Sequence, residues 1–454
     1  MVHCSIMWKL PSDVYTISKI LTSHGYSVYL VGGAVRNHLG GFGNTDYDLA
    51  TDAPAKEMLT MFRRVIPTGL EHGTVTVLFG DEHYEITTFR IDGAYSDSRH
   101  PDTVTFTSDI NQDLSRRDFT INGIAFDIAD DKIIDPFNGT ADIKRKIIRT
   151  IGNAEDRISE DPLRILRGFR FASQLGFTIE KKTREAMVRK AGLLHGISSE
   201  RIRDELVKLL TGDNAVEILF LLESTGVLQL LLPELCATKG VHQKGFHDFD
   251  VFEHSVYAFE WAPKNDIRLM LAALLHDIGK PLTASMKNGD LTFYHHEREG
   301  AILAETLLSR LKFSNSIIKS VCHLIGEHMF HYTPEWSDGA VRRFIKRAGK
   351  ANIDDLFILR RCDEYGFSRR PIDSPALVEL GKRIRKVISS HDALGLKDLA
   401  VDGNVLHEEL GIPKNRFMGT VLNELLETVL DDPSLNTKQS LLVIAQRLYA
   451  KISQ

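Results

Sequence analysis

The sequence lacks the features that would place it among disulfide-stapled or membrane-spanning proteins. It has four cysteines and no CxxC pair; they are Cys4, Cys236, Cys322 and Cys362. This spacing disfavours a disulfide framework or a zinc knuckle and favours a reducing compartment. No uncharged stretch reaches the roughly 18 apolar residues that a membrane helix needs, and no apolar core follows a basic flank at the N-terminus. We therefore expect a cytoplasmic protein with no membrane partner.

An excess of positive charge is also missing. The 454 residues include 56 Lys and Arg against 61 Asp and Glu, so the formal net charge is −5. This balance argues against a uniformly basic nucleic-acid coat, and a polyanion would have to meet a local basic patch. Candidate patches occur in Arg342–Lys350, Arg360–Arg370 and Lys382–Lys386, although such runs are usually solvated helix faces. The length predicts roughly three compact units.

Apolar periodicity divides the chain into a mixed first third and a helical remainder. The first third is predicted to contain a helix over Thr16–Ser23 and strands over Ser27–Val31, Thr74–Phe79 and Tyr84–Phe89. A sheet domain is expected to end near Gly139, and from about Ile143 the pattern is almost wholly helical to Ile452. The predicted fold class is α+β, with a small mixed sheet and helices followed by helical domains.

A first group of polar residues follows the strand that ends at Val31. Gly32 and Gly33 precede a helix-like segment, and the free N–H groups of such a turn favour phosphate oxygens. Asp46 and Asp48 are two residues apart, so on an extended strand they point into one space. Two crowded carboxylates repel unless a cation lies between them, and oxygen ligands suit Mg²⁺ bound to substrate phosphates. Glu85 would join them if the strands are neighbours, and is otherwise a surface acid.

Two further charged stretches have the chemistry to bind a nucleotide. Arg116 and Arg117 can clamp a triphosphate and Asp118 can hold ribose hydroxyls, whereas the alternative is a capped surface helix with salt bridges. Asp161 and Arg164 lie where a helix is predicted to open, and they place a hydrogen-bond acceptor beside a donor. Cytosine and adenine share a matching amino donor and ring-nitrogen acceptor, so this pair could admit CTP and ATP and reject UTP and GTP. The simpler reading is an N-terminal cap.

Taken in order, these stretches resemble the motifs of a known enzyme family. The segments are Gly32-Gly33 with Asp46-x-Asp48, Arg116–Asn122, Asp135–Asp142, Glu160–Arg167 and Ile197–Leu206. Together they resemble the motifs of the bacterial class II tRNA nucleotidyltransferases, the CCA-adding enzymes, over roughly residues 25–210. Asn37 and Gly123 depart from the pattern, which commonly has Asp and Ala there.

The resemblance implies roles for these residues. Asp46 and Asp48 would hold the catalytic Mg²⁺ ions, and Asp161 with Arg164 would read the base. Glu85 is the candidate third catalytic acid on the strand argument above, not on the resemblance. The implied nucleotide-binding set is Gly32, Gly33, Arg36, Arg116, Arg117, Asp118, Asn122, Asp161, Arg164 and Arg167. The segment Arg90–Arg99 is similar to the family's flexible loop, which favours addition of the complete CCA.

A second constellation lies in the helical half. His254, His276-Asp277 and Asp363 follow the H…HD…D order of HD-superfamily phosphohydrolases, and this ligand set suits Mn²⁺, Ni²⁺, Fe or Zn²⁺. Four more histidines could extend the site towards a second metal: His295, His296, His323 and His328. The resemblance suggests phosphodiesterase or phosphatase activity, and the alternative is an HD fold that only supports tRNA.

The resemblance also implies a domain order. The expected units are a polymerase-beta-like nucleotidyltransferase head (1–142), a helical neck with the base-reading site and an RNA-binding region (143–240), an HD domain (241–372) and a helical tail that binds tRNA (373–454). The expected function is template-independent addition or repair of the tRNA 3′-CCA with CTP and ATP. The alternatives are a CC-adding or A-adding enzyme, a poly(A) polymerase, or an HD phosphohydrolase with an inactive head. The oligomeric state stays open.

Overall fold

The structure is a computed structural model that describes residues 8–43, 46–93, 103–242, 249–371, 373–390 and 392–452. Cys4 and residues 94–99 of the predicted flexible loop lie outside these ranges. No disulfide joins the cysteines in the described part of the chain. Within the same ranges, no helix is both long and apolar enough to cross a membrane.

The described strands belong to one large sheet and three small ones. They are β1 (Val28–Val31), β2 (Leu49–Thr51), β3 (Val65–Gly69), β4 (Thr74–Phe79), β5 (Glu82–Thr88), β6 (Arg90–Asp92), β7 (Val104–Phe106), β8 (Ala125–Asp127), β9 (Lys132–Ile134), β10 (Ile147–Ile148), β11 (Thr178–Ile179), β12 (Ser285–Lys287) and β13 (Asp290–Thr292). The large sheet has the order β3-β4-β5-β2-β1-β8-β9. Its β2 and β5 pair in parallel, whereas its other recorded pairs are antiparallel.

Helices make up most of the rest. They are α1 (Ser12–Ser23), α2 (Gly33–Gly40), α3 (Ala55–Met61), α4 (Ile110–Ser115), α5 (Gly139–Arg145), α6 (Ala154–Glu160), α7 (Leu163–Leu175), α8 (Lys181–Arg189), α9 (Ser199–Leu210), α10 (Ala215–Ser224), α11 (Val227–Leu231), α12 (Pro233–Cys236), α13 (Val251–Trp261), α14 (Ile267–Leu275), α15 (Lys280–Thr283), α16 (His296–Arg310), α17 (Asn315–Glu327), α18 (Asp338–Ala348), α19 (Ile353–Gly366), α20 (Pro375–Ser389), α21 (Gly403–Leu410), α22 (Arg416–Asp431) and α23 (Lys438–Ile452). Short 3-10 helices lie at Leu70–His72, Thr120–Asn122, Ala191–Gly196, Lys350–Asn352, Leu396–Asp398 and Pro433–Leu435.

The chain folds into two compact units. The first runs to Pro233 and includes Arg310–Lys312, and the second comprises Glu234–Ser309 and the chain from Phe313 onwards. In the first unit, apolar side chains such as Val31, Ala50 and Phe89 form a buried cluster against the large sheet. In the second unit, a separate apolar cluster is formed by α21, α22, α23 and the residues before them. Each candidate site described below lies within one unit.

The predicted α+β class is confirmed, and one local prediction is wrong. In the described residues the remainder after Ile143 is almost wholly helical, as predicted, with β10, β11 and the β12–β13 hairpin as short exceptions. Asp46 and Asp48 do not lie on a strand, since β2 begins at Leu49. The residues before Leu49 nevertheless follow the sheet, because the Val31 N–H donates to the Asp48 carbonyl at 3.0 Å.

Candidate active site

The turn after β1 brings the backbone close to two functional side chains. Gly32 has φ 68°, a left-handed conformation that side chains disfavour. A Cβ at this position would lie 3.4 Å from Arg117 Nη1 and 3.7 Å from Asp48 Oδ2. α2 begins directly afterwards at Gly33. Glycine therefore lets the strand-to-helix turn approach the charged groups opposite.

Three carboxylates lie near the start of β2, at Leu49. Leu49 pairs with Ile86 in the parallel β2–β5 ladder, so Asp48 and Glu85 occupy neighbouring positions one residue earlier. Burial and the charges of Glu85 and Asp46 together raise the pKa of Asp48 to about 6, against the opposing effect of Arg117. Asp46 and Glu85 are exposed, whereas Asp48 is half-buried. The strands are thus neighbours, as the prediction for Glu85 requires, and its part in a metal site remains a prediction.

A cavity of about 600 Å³ lies beside these acids. It is lined by Gly32, Gly33, Arg36, Asp48, Arg90, Arg116, Arg117, Asp118, Asn122, Asp161, Arg164, Arg167, Arg170, Phe171 and Gln174. All ten residues of the predicted nucleotide-binding set line this one cavity, whereas Asp46 and Glu85 do not. Seven arginines face three aspartates, so the cavity favours an anion with several negative charges. We refer to it below as the nucleotide cavity.

Asp113 holds two of these arginines in place. Its buried carboxylate accepts from Arg116 Nε at 2.9 Å and from Arg117 Nη2 at 3.2 Å. Burial alone would raise the pKa of Asp113, but Arg117 and Arg116 hold it below its ordinary value. This residue was missed as a site residue in the sequence. Its spacing was the signal, because residues three and four apart on a helix are neighbours.

Asp118 is part of a buried network on α7 and the preceding 3-10 helix. Its carboxylate pairs with Arg167 Nη2 at 2.6 Å and accepts from Asn122 Nδ2 at 2.9 Å. Despite the opposing effect of burial, Arg167 and Asn122 hold its pKa well below the ordinary range. Asn122 in turn accepts from Arg36 Nη1 at 2.7 Å. The predicted surface-helix alternative is wrong here, since Asp118 and Asn122 are buried.

The side chains of Asp161 and Arg164 are bound by different partners. Arg164 is buried and donates to the carbonyl oxygens of Arg157 and Arg116 and to the Glu160 carboxylate, at 2.7, 3.1 and 2.8 Å. Asp161 accepts from Arg201 Nη2 at 3.3 Å and from the Leu163 N–H at 3.2 Å. Asp161 and Arg164 thus lie where a helix opens, as predicted, since α7 begins at Leu163, whereas Glu160 ends the preceding helix α6.

These contacts fix the orientation of the predicted base-reading pair. Three of the five N–H groups of Arg164 are used within the protein, so its guanidinium is fixed and still has donors to offer. Arg201 fixes the Asp161 carboxylate in the same way. The role of Arg201 was missed in the sequence because it lies 40 residues further along the chain, on α9.

The second candidate site lies among the helices of the other unit. A capping box between Asp250 and Glu253 starts α13 and places His254, while His276 and Asp277 follow the end of α14. His254 Nε2 lies 3.1 Å from His276 Nε2 and 3.1 Å from Asp363 Oδ1 on α19. Helix packing therefore joins the four predicted HD residues into one buried cluster.

Asp277 connects this cluster to a second group of ligands. Its Oδ2 lies 3.2 Å from His276 Nε2, whereas its Oδ1 lies 3.2 Å from His296 Nε2 and 3.9 Å from His328 Nε2. Two groups could each hold a metal ion, one formed by His254, His276 and Asp277 and one by Asp277, His296 and His328. His296 Nε2 is buried and makes no hydrogen bond. A metal beside Asp277 would satisfy this nitrogen, so the donor set fits metal ions.

Two of the four additional histidines do not extend the site. His323 Nε2 lies 2.6 Å from the Ala348 carbonyl, so its hydrogen bonding is directed away from Asp277. His295 lines the neighbouring cavity, but its side chain is 70% exposed and lies 3.8 Å from Glu297. His296 and His328 therefore lie beside Asp277, as a second metal would require, whereas His295 and His323 do not, and the second metal stays a prediction.

A cavity of about 590 Å³ opens from the HD cluster. Its cations are Lys280, which pairs with Asp277 at 2.5 Å, and Arg360, which pairs with Asp363 at 2.9 Å. Its other walls include aromatic side chains such as Phe293 and Tyr294. The cluster is therefore open to a ligand that has both a phosphate and an apolar group.

The predicted basic patches are largely neutralised within the second unit. Arg342 pairs with Asp392 at 2.6 Å, and Arg343 and Lys346 both pair with Glu427, at 2.8 and 2.9 Å. These runs therefore form ion pairs on helix faces within the protein, as the simpler interpretation of such runs expects. The tail as a tRNA-binding unit remains a prediction.

Three sequence families match the chain, in the order that the geometry suggests. Residues 28–149 match the poly A polymerase head domain, residues 176–239 match a probable RNA and SrmB-binding site of polymerase A, and residues 249–366 match the HD domain. The head match contains the three carboxylates, and the HD match contains the histidine cluster.

Curated proteins and solved structures agree on one family. The chain is 40% identical to a CCA-adding enzyme of Geobacillus kaustophilus over 63% of this chain and 68% of that enzyme. It is 48% identical to a CCA-adding enzyme of Geobacillus thermodenitrificans over 49% of this chain, and this match spans only 55% of the relative's length. The structure of the Bacillus stearothermophilus CCA-adding enzyme in complex with CTP is 28% identical, with a TM-score of 0.70 over 98% of this chain and all of that one. The chain belongs to the family of CCA-adding enzymes.

Proposed function

We propose that this protein adds or repairs the 3′-terminal CCA of tRNA with CTP and ATP. The observation that carries the proposal is the nucleotide cavity, where Asp48, seven arginines and the Asp161–Arg164 pair meet. The related Bacillus enzyme, whose structure contains CTP, has the same fold over nearly the whole chain. The geometry thus provides an acid for metal binding, cations for a triphosphate and a fixed pair for a base.

In the proposed reaction the 3′-hydroxyl oxygen of the RNA bonds to the α-phosphorus of the nucleotide, and the bond to pyrophosphate breaks. Asp46, Asp48 and Glu85 would hold Mg²⁺, which supplies charge stabilisation for the attacking and leaving oxygens. Arg116 and Arg117, oriented by Asp113, would bind the phosphates. Positioning and electrostatics therefore carry the step, and it needs no protein nucleophile.

Nucleotide choice would depend on Asp161 and Arg164. Their orientation is fixed by Arg201 and by the acceptors around Arg164, so an acceptor and a donor are presented at constant positions. Cytosine and adenine complement that arrangement, while uracil and guanine place like groups against it. The pair accepts both bases through one pattern, and the similarity to CCA-adding enzymes supports the CCA adder over a poly(A) polymerase.

The test is incubation of tRNA lacking its CCA with Mg²⁺ and labelled CTP or ATP, followed by sequencing of the added nucleotides. We expect two C residues and then one A. Addition of only C or only A would indicate one of the specialised enzymes, and a long run of A would indicate a polymerase. Arg164→Ala is expected to raise UTP incorporation about tenfold or more. Unchanged discrimination against UTP would contradict the proposed base reading.

A second activity is proposed for the HD cluster, namely phosphodiester or phosphomonoester hydrolysis at RNA ends. The observation that favours it is the pair of ligand groups that share Asp277 beside a cavity with Lys280 and Arg360. The nitrogen-rich ligand set suits Mn²⁺, Ni²⁺, Fe or Zn²⁺. After dialysis against a chelator, each metal is added back with a 2′,3′-cyclic nucleotide or a 3′-phosphate as substrate. If no metal restores hydrolysis, the HD unit has only a supporting role.

The domain division also remains a proposal. The family matches end at 149, 239 and 366, close to the proposed boundaries of head, neck and HD domain. They are compatible with a tail after residue 372 that contacts tRNA. The cytoplasmic location is likewise a prediction.

A further inference from the structure

Phe171 is an aromatic residue placed among charged groups. It lies on α7, is only 4% exposed, and forms part of the wall of the nucleotide cavity. The guanidinium carbons of Arg170, Arg36 and Arg167 lie 4.0, 5.0 and 5.6 Å from the centre of its ring. All three arginines line the same cavity. The ring of Phe171 therefore contacts three of the seven arginines that line the nucleotide cavity.

The carboxylates around this group do not balance its charge. Arg167 pairs with Asp118 at 2.6 Å, and Arg170 Nε lies 2.8 Å from Glu205 Oε2. Arg36 instead donates to the neutral side-chain oxygens of Asn37 and Asn122. Burial, with the charges of Arg170 and Arg167, lowers the pKa of Arg36 to about 10 despite the opposing charge of Asp118. Three guanidinium groups are thus held with only two carboxylates.

The ring compensates for the missing carboxylate without neutralising the cavity. The face of an aromatic ring is electron-rich and attracts cations within about 6 Å, more strongly where water is excluded. A third carboxylate would also hold Arg36, but it would cancel the positive charge that a triphosphate needs. An aromatic face attracts the guanidinium groups and leaves that charge in place.

We infer that Phe171 is a positioning residue for the nucleotide: its π face holds Arg36, Arg167 and Arg170 in the arrangement that receives the triphosphate. The inference rests on the proposed function for the identity of the ligand. A simple packing role is the alternative, because the ring also meets Phe119 edge-on at 5.8 Å. The two roles differ in whether the electron density of the ring matters or only its shape.

The test replaces Phe171 by phenylalanine carrying one, two or three fluorine atoms, in the full chain. Fluorine withdraws electron density from the ring face and nearly preserves its size. We expect the KM for both CTP and ATP to rise with each fluorine, by about fivefold to tenfold over the series, with kcat within about twofold. The affinity for inorganic tripolyphosphate, measured by titration calorimetry without tRNA, is expected to fall in parallel.

The matched control is the same series at Phe169, which is fully buried on the same helix. No guanidinium among the described residues lies over the ring of Phe169, so its series should leave KM unchanged. A flat response at Phe171 in both KM and tripolyphosphate affinity would overturn the inference and leave packing alone. If the wild-type chain added no nucleotide to tRNA while the tripolyphosphate series stayed graded, the proposed function would fail and the arrangement of the arginines would stand.

Discussion

The carboxylates of the head and those of the HD cluster have pKa values shifted in opposite directions. In the head, burial and the nearby charges of Glu85 and Asp46 raise the pKa of Asp48 to about 6. In the HD cluster, burial has the same tendency for Asp277 and Asp363, but neighbouring histidines hold their pKa values well below the ordinary range. The head acids thus lack a sufficient counter-charge from the protein, whereas the HD acids have one.

Because of this difference, metal binding would have different consequences at the two sites. A cation that binds near Asp48 relieves repulsion that is already present. A cation that binds between His254 and His276 must replace protons, because Asp277 and Asp363 outweigh burial and raise the pKa of His276 to about 10. The first site is therefore suited to ions that arrive with the nucleotide, and the second to ions that bind strongly enough to displace protons.

The largest expected effect comes from removing charge at Asp48. Asp48→Asn is expected to reduce nucleotide addition to tRNA by about a thousandfold, because one ligand of the proposed Mg²⁺ ions is lost. Hydrolysis at the HD cluster should not change, since Asp48 and Asp277 lie in different units. Both activities are measured on one preparation, with labelled CTP incorporation and 2′,3′-cyclic nucleotide hydrolysis.

The converse variant completes this double test. Asp277→Asn removes the carboxylate that connects the two HD ligand groups, so hydrolysis should be lost while incorporation of CTP and ATP continues. Loss of both activities from either single variant, with the thermal unfolding profile preserved, would show that the two sites are not independent. That result would contradict the proposal that the head and the HD cluster bind metal independently and in different ways.

Many residues of the two candidate sites could be predicted from local sequence patterns. The Gly32-Gly33 turn, the acids that follow it and the His276-Asp277 pair are local patterns, and the structure joins them to their predicted companions. The distance along the chain mattered less than the residue types, because His254, His276 and Asp363 are brought together by packing of α13, α14 and α19.

The remainder depends on the fold and could not be read in this way. Whether Glu85 adjoins Asp48 depends on the order of strands, which the alternation of apolar residues does not encode. Arg201 looks like an ordinary helix-surface charge, and only its contact with Asp161 reveals its role. The spacing of Asp113 suggests ion pairs with Arg116 and Arg117, but not that both arginines line a cavity. His295 and His296 are adjacent in sequence, and the difference in burial between them decides which one faces Asp277.

The next effect concerns protons at the HD cluster. His276, with a pKa of about 10, is protonated between pH 7 and 9, whereas burial and the charge of His276 lower the pKa of His328 to about 3, so His328 is already neutral. Binding of Mn²⁺ or Ni²⁺ should therefore release about one proton, and the affinity should rise about tenfold per pH unit in this range. Calorimetric titration in two buffers of different ionisation enthalpy measures the release.

His328→Gln provides the control for this measurement. It should weaken metal binding, yet the number of protons released should stay near one, because the proton comes from His276. Binding without proton release in the wild type would mean that the HD acids do not keep His276 charged. The HD acids would then lack a protonated histidine as counter-charge, and they would no longer differ from the head acids in this respect.

A smaller effect is expected in the pH profile of nucleotide addition. The rate should fall as the pH drops below about 6, because Asp48 is then protonated and binds a cation poorly. Protons and Mg²⁺ compete for this carboxylate, so a tenfold higher Mg²⁺ concentration should move the acidic limb downward by up to about one pH unit. An acidic limb that does not respond to Mg²⁺ would assign it to another group.

The smallest expected effect is on stability in the absence of metal. The pKa of Asp48 is higher in the folded chain than in the unfolded one, so its ionisation opposes folding above about pH 6 and has no effect below about pH 4, where it is protonated in both states. Asp48→Asn removes that charge and should raise the free energy of unfolding at pH 8 by about 1 kcal/mol, since solvent screens part of the charge at this half-buried position. Urea titrations at pH 8 and pH 4 with a chelator present measure the difference.

Asp52→Asn near the opposite end of β2 is the control, because Asp52 accepts from the Ser27 N–H and its replacement should not stabilise the chain. A variant at Asp48 that is equally or less stable than the wild type at pH 8 would mean that the head acids are already compensated within the protein, as those of the HD cluster are.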